Sequence, residues 1–174
     1  MASSLVRSHA TFTTDRFASV GEDDTWVSGG DLIAWLIPRL PPLPLEIGEP
    51  IQEDYGWGFW ARSGKDSFWV YAALYPNPRA AWEGEKEHED EEPRPASKAE
   101  ATERDGPAQW GLAAAYDSGR YVLRKLFHRP DPTLLPQLCE AIDRALHGEP
   151  QIQDIRWWSK GFEEGTSGEH PRGD

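Results

Sequence analysis

A period of two is clearest in two stretches near the middle of the chain, residues 53–60 and 68–75. In the second stretch, aliphatic or aromatic residues alternate with Trp69, Tyr71 and Tyr75, whose rings carry polar groups, so both faces are expected to be covered. A period of two places successive side chains on opposite faces of a β-strand. Between these stretches, residues 63–66 read Ser-Gly-Lys-Asp, which is typical of the turn that closes a hairpin. The pattern predicts an aromatic-rich hairpin within residues 46–75, and the rest of the chain is organised around it.

One face of the first strand is expected to be a core face, because Tyr55, Trp57 and Phe59 alternate with small or polar residues. The intervening glycines, Gly56 and Gly58, give room for large rings of the neighbouring strand to lie across the backbone. A phosphate-binding loop is a poorer interpretation of these glycines, because neither a helix start nor a Lys-Ser/Thr pair follows them.

Further alternation occurs in the second half of the chain. Residues 110–116 and 121–128 flank an Asp-Ser-Gly turn, which predicts a second hairpin. Residues 152–157 alternate over a shorter distance and predict a terminal strand. The sheet is therefore expected to contain about five strands.

Two other segments repeat apolar residues at spacings of three and four, which predicts amphipathic helices. The first is expected over residues 29–37, where Ser28 is a suitable cap and Pro38 prevents a regular continuation. The second is expected over residues 134–147, with Thr133 as its cap. Together these elements predict an α+β fold, in which a mostly antiparallel sheet built from two hairpins carries both helices on one face.

The chain of 174 residues fits one domain of ordinary size, which we assign to residues 26–158. Residues 1–25 contain few apolar positions, and residues 159–174 are mainly Gly, Glu and other polar residues, so both ends are expected to be poorly ordered. Residues 83–107 contain no aromatic or branched aliphatic side chain and are expected to form a disordered acidic loop within the domain.

Charge excludes some classes of partner. The formal net charge is -12, which argues against nucleic acid and against anionic lipid surfaces. No run approaches the roughly 18 apolar residues of a membrane span. The single cysteine, Cys139, excludes an intramolecular disulfide, and the amino terminus lacks the apolar segment of a signal peptide, so a cytoplasmic location is expected.

The chain also contains nine tryptophans, more than a domain of this size usually needs for packing. Several aromatic residues lie beside carboxylates in the central hairpin, and aromatic anchors surrounded by acids suit a basic protein partner. We therefore expect a non-catalytic protein-binding domain. The candidate binding residues are Glu49, Glu53, Asp54, Tyr55, Trp57, Trp60, Trp69 and Tyr71.

Two alternatives stand beside this interpretation. Glu53 or Asp54 could serve a small-ligand or catalytic site if it converged with His128 or Arg62 in a closed pocket. In the other alternative, the rings only fill the sheet faces, and the domain has no dedicated site. No stretch has the spacing of a cofactor or metal motif, and Cys139 lies on an apolar helix stripe, where a buried thiol is expected.

No motif specific to a family is present. In overall character, as a small acidic domain without catalytic motifs, the chain is similar to bacterial immunity proteins and other small inhibitors that neutralise basic enzymes. That resemblance implies stoichiometric binding of a basic protein partner and no turnover.

Overall fold

A computed structural model describes residues 6–17, 27–75, 107–117, 130–163 and 165–172. Most of the acidic loop predicted at 83–107, and the second strand of the hairpin predicted at 110–128, lie outside these residues. Within the described parts of the chain the structure is α+β, with one antiparallel sheet and two α-helices.

Among the described residues the sheet contains eight strands, rather than the five or so that were predicted. The strands are β1 (His9–Thr13), β2 (Glu46–Ile47), β3 (Ile51–Glu53), β4 (Gly56–Ser63), β5 (Asp66–Leu74), β6 (Gln109–Tyr116), β7 (Gln153–Trp158) and β8 (Ser167–Gly168). Their spatial order is β2-β4-β5-β6-β1-β7-β8, and the short strand β3 pairs with the start of β4, while β2 pairs with its end. Every pairing is antiparallel.

The central hairpin is confirmed in β4 and β5, although its first strand differs from the prediction. Residues 53–60 do not form one strand, because a turn at Asp54 and Tyr55 separates β3 from β4. Tyr55 is therefore not on a core face. At the other end of β4, the chain turns through Gly64, whose φ of 56° lies in the left-handed region that favours glycine.

Both helices were found close to their predicted positions. Helix α1 spans Gly30–Leu36 and continues as a single 3₁₀ turn over Ile37–Arg39, where Pro38 prevents an α-helical hydrogen bond. Its N-cap is Gly29, with a φ of 110°, so the predicted capping role of Ser28 is wrong. Helix α2 spans Leu134–His147 after its N-cap residue, Thr133.

The helices cover one face of the sheet, which we call the covered face. Register places Phe59 opposite Val70, and Leu112 opposite both Ala72 and Ala10, on this face. These side chains belong to a single buried cluster that includes the apolar stripes of α1 and α2. The opposite side, the open face, carries no helix among the described residues.

The ends of the chain differ most from the prediction. Residues 1–25 were expected to be poorly ordered, yet β1 lies inside the sheet and pairs with both β6 and β7. In the tail, β8 pairs with β7, and Val6 forms an isolated bridge with Arg172. The two ends therefore hold each other in place.

No α-helix in the described parts of the chain is both long and apolar enough to cross a membrane.

Candidate binding surface on the open face

Six aromatic side chains of the described residues lie on or beside the open face of strands β4, β5 and β6. We call this group the aromatic surface. All six are only partly buried, and the most exposed is Tyr55, at 43%. Its members are Tyr55, Trp60, Trp69, Tyr71, Tyr75 and Phe162.

Strand register positions the central rings. Trp60 pairs directly with Trp69, and Gly58 pairs with Tyr71, so these residues share the open face. The glycine is required for close approach: a Cβ at Gly58 would lie 2.6 Å from Cζ2 of Trp69 and would also meet the carbonyl oxygen of Val70. The expectation that these glycines make room for neighbouring rings is confirmed at Gly58.

One half of the aromatic surface is connected through Trp69. Its ring centroid lies 5.0 Å from that of Trp60, and its Nε1 donates a hydrogen bond to the hydroxyl of Tyr55 at 3.0 Å. Tyr55 in turn meets Tyr71 edge to face, with a centroid distance of 5.3 Å. Such contacts fix the mutual orientation of the rings while leaving part of each ring accessible.

The other half is built around Phe162, which follows β7. Its ring lies 6.4 Å from Tyr71 and 5.4 Å from Tyr75 between centroids. It rests against Gly111, where a Cβ would lie 2.8 Å from Cζ of the phenylalanine. His9 of β1 meets the same ring edge to face at 5.5 Å. The tail thus completes a surface that begins in the central hairpin.

Burial also affects the chemistry of the surface. The pKa of the Tyr71 phenol is raised, first by loss of hydration and second by the nearby Tyr55 phenol. Tyr71 therefore stays neutral beyond the ordinary titration range of tyrosine, which preserves its hydroxyl as a hydrogen-bond donor.

Carboxylates border the aromatic surface near the start of β4 and the end of β5. Glu53 and Asp54 are exposed beside Tyr55, and Glu49 is exposed in the segment between β2 and β3. On the Phe162 side, the Tyr75 hydroxyl donates a hydrogen bond to Oε2 of Glu163 at 3.1 Å. Exposed rings bordered by negative charge favour cationic groups.

The aromatic surface already carries one cation from the protein itself. The guanidinium carbon of Arg62 lies over the Trp60 ring, 5.3 Å from its centroid. Arg62 and Trp60 are two residues apart on β4, so both project from the open face. This contact shows that a guanidinium fits against the outer end of the surface.

Trp57 is separated from the other predicted binding residues. It lies on the covered face, where a Cβ at Gly30 would come within 3.0 Å of Cε2 of its ring, and it packs against the core. Tyr75, Phe162 and Glu163 were not among the predicted residues. A signal was present for Phe162, since Gly111, Ala113 and Ala115 place only small side chains on the open face of β6.

The catalytic alternative requires convergence around Glu53 or Asp54. Both carboxylates are exposed, whereas Arg62 lies near the opposite end of β4, and His128 lies outside the described residues. Cys139 is buried in α2, and burial is the main reason that the pKa of its thiol is raised. Among the described residues, Glu53 and Asp54 are therefore separated from Arg62 along β4, and the Cys139 thiol is enclosed in the core.

No protein-family model, curated protein or solved structure matches this chain.

Proposed function

We propose that this protein is a non-catalytic binding protein that holds a basic segment of a protein partner on its aromatic surface. The observation that carries the proposal is a contiguous group of partly exposed rings bordered by the carboxylates of Glu53, Asp54 and Glu163. Lysine and arginine side chains of a partner would lie against the rings, as Arg62 lies against Trp60.

Net charge and aromatic contacts are expected to affect different rate constants of binding. The formal net charge of -12 attracts a basic partner over distances set by ionic strength and accelerates encounter. Once the complex has formed, buried aromatic contacts determine how long it lasts. An inhibitory or immunity-like role fits this chemistry, because neutralising a basic enzyme requires only stoichiometric binding.

The first experiment is affinity capture from the organism of origin with three versions of the protein. A specific partner should be retained by the wild type and by Trp57→Phe, which alters a ring on the covered face. The same partner should be lost with the double variant Trp60→Ala/Trp69→Ala. Mass spectrometry of the proteins that follow this pattern identifies the candidate.

Binding kinetics with the purified partner then test whether charge governs association and the rings govern dissociation. Added salt should slow association with little change in dissociation. Each tryptophan truncation should speed dissociation by an amount worth at least about 2 kcal/mol, the usual threshold for a hot spot. If truncating Trp60, Trp69 and Tyr71 together leaves dissociation unchanged, the partner binds elsewhere and the proposal is wrong.

A further inference from the structure

Three potential metal ligands converge on the helix side of the sheet, away from the aromatic surface. Asp143 and His147 belong to α2, and His170 belongs to the tail. One ligand atom from each residue lies within 4.8 Å of the other two. Nδ1 of His147 lies 3.1 Å from Oδ1 of Asp143, and Nδ1 of His170 lies 2.9 Å from Oδ2.

The local structure explains why these residues meet. Asp143 and His147 are four residues apart and therefore neighbours on one side of α2. His170 is brought to them by the tail, because the backbone N–H of Arg7 donates to the Pro171 carbonyl at 2.8 Å, and the Arg7 side chain donates to the His170 carbonyl at 3.1 Å. The site thus joins a helix to a segment distant in sequence.

The carboxylate at the centre of the group is held by a buried partner. Nε1 of Trp157 donates a hydrogen bond to Oδ1 of Asp143 at 2.7 Å, and both residues are buried. Metal ligands in proteins are commonly oriented in this way by a hydrogen bond from a neighbouring side chain. Both histidines, in contrast, are accessible, with side-chain exposures of 41% for His147 and 56% for His170.

We propose that Asp143, His147 and His170 bind a divalent transition metal of the zinc type, with a fourth position open to water. Two imidazoles and one carboxylate form a ligand set that suits Zn²⁺. Zinc–ligand bonds of 2.0–2.2 Å place tetrahedral ligand atoms about 3.4 Å apart. The two histidine Nδ1 atoms approach different oxygens of Asp143, at 3.1 and 2.9 Å, and one ligand atom from each residue lies within 4.8 Å of the other two. Modest side-chain movement would therefore bring three ligand atoms to the zinc spacing.

A further carboxylate on the same helix is engaged with the tail. Glu140 lies one turn before Asp143 on α2 and forms an ion pair with Arg172. This ion pair helps to hold the tail against the helix. A bound metal would act in the same sense, because two of its ligands come from α2 and one from the tail.

The same three residues could instead be joined only by hydrogen bonds, since a histidine Nδ1–H can donate to a carboxylate. Nδ1 of His147 also lies 3.1 Å from the backbone carbonyl of Asp143, which is a second acceptor. A hydrogen-bonded group of this kind would show no preference for added metal. Metal affinity therefore separates the two interpretations.

The test is titration of the tag-free, chelator-treated protein with Zn²⁺ by calorimetry and with Co²⁺ by visible absorption. We expect one equivalent of metal to bind, with a Co²⁺ spectrum typical of four-coordinate nitrogen and oxygen ligands. His147→Gln and His170→Gln should each weaken binding by at least about 100-fold, the upper end of the effect reported for partners of metal ligands. His9→Gln, on the open face, is the matched control and should bind normally.

Two further measurements address the geometry. Trp157→Phe, which removes the hydrogen bond to Asp143 but retains most of the buried ring, should weaken Zn²⁺ binding by about 10- to 100-fold. Zn²⁺ should also slow proteolysis of the tail in the wild type but not in His170→Gln. The proposal is overturned if the wild type binds no Zn²⁺ below about 100 μM, an affinity short of the usual range of protein zinc sites. It is equally overturned if binding survives in His170→Gln.

Discussion

Phe59 and Trp60 are neighbours on strand β4 but lie on opposite faces of the sheet. Phe59 is completely buried under the helices, whereas Trp60 is partly exposed and contacts Trp69 and Arg62 on the open face. The apolar area of Phe59 is buried on folding and stabilises the native state. Much of the area of Trp60 is still available for a partner, because no described helix covers it.

The largest difference in stability is expected between the alanine variants of these two residues. Phe59→Ala should lower the free energy of unfolding by about 3–5 kcal/mol, because it leaves a cavity in the core. Trp60→Ala should lower it by only about 1 kcal/mol, a typical cost for a partly exposed side chain. Urea unfolding followed by circular dichroism measures both changes.

Partner binding should show the opposite order, with Trp60→Ala impaired and any Phe59→Ala that remains folded little affected. If both variants lose similar stability, the two faces contribute alike to folding, and the contrast between them fails.

The second prediction concerns Gly58, whose missing side chain lets the Trp69 ring lie close to β4 on the open face. Gly58→Ala should destabilise the protein by about 3 kcal/mol, because the added methyl group would meet both the Val70 carbonyl and the Trp69 ring. Gly64→Ala is the control: nothing lies within 4 Å of its Cβ position, so only the left-handed backbone is penalised, at about 1 kcal/mol. Thermal unfolding of the two variants gives the comparison, and equal losses would argue against close packing of Trp69 on β4.

The smallest effect is expected in alkaline solution. Because the pKa of Tyr71 is raised in the folded state, its contribution to stability is complete below the ordinary tyrosine value of about 10 and is lost as the pH rises through the higher folded value. Wild type should therefore lose more stability than Tyr71→Phe on going from pH 9 to pH 11. Denaturant unfolding at a series of pH values measures the difference.

Tyr55→Phe sharpens the same prediction. Burial is the larger cause of the raised pKa of Tyr71, so removing the Tyr55 hydroxyl should lower that pKa only slightly in an ultraviolet titration. A return of the Tyr71 pKa to the ordinary value would mean that its ring is more exposed than the packing indicates.

The sequence predicted those elements whose pattern is long and local. Helix α2 was placed at residues 134–147 because its apolar stripe repeats over several turns, and the β4–β5 hairpin was identified from alternating residues around a glycine turn. Alternation alone was insufficient between residues 53 and 60, where the short turn at Asp54 and Tyr55 interrupts the strand.

The missed elements depend on distant partners. Strand β1 contributes only Ala10 and Phe12 to the buried cluster, which is too little apolar character to identify an interior strand from a window of five residues. Phe162 and His170 lie in a polar, glycine-rich tail, and only long-range pairing brings them to the aromatic surface and to α2. Rings of the open face were therefore predicted within the central hairpin, whereas Phe162, which the tail supplies, was not.

Binding of cationic side chains by the rings of the open face can be followed directly in a two-dimensional NMR titration of the tryptophan indole N–H groups. The probe is a short arginine-containing peptide, and its control is the same peptide with neutral citrulline in place of arginine. We expect the signals of Trp60 and Trp69 to shift with the arginine peptide, while those of the buried Trp110 and Trp157 stay in place. Unmoved Trp60 and Trp69 signals, or equal shifts with citrulline, would show that these rings do not bind cationic side chains.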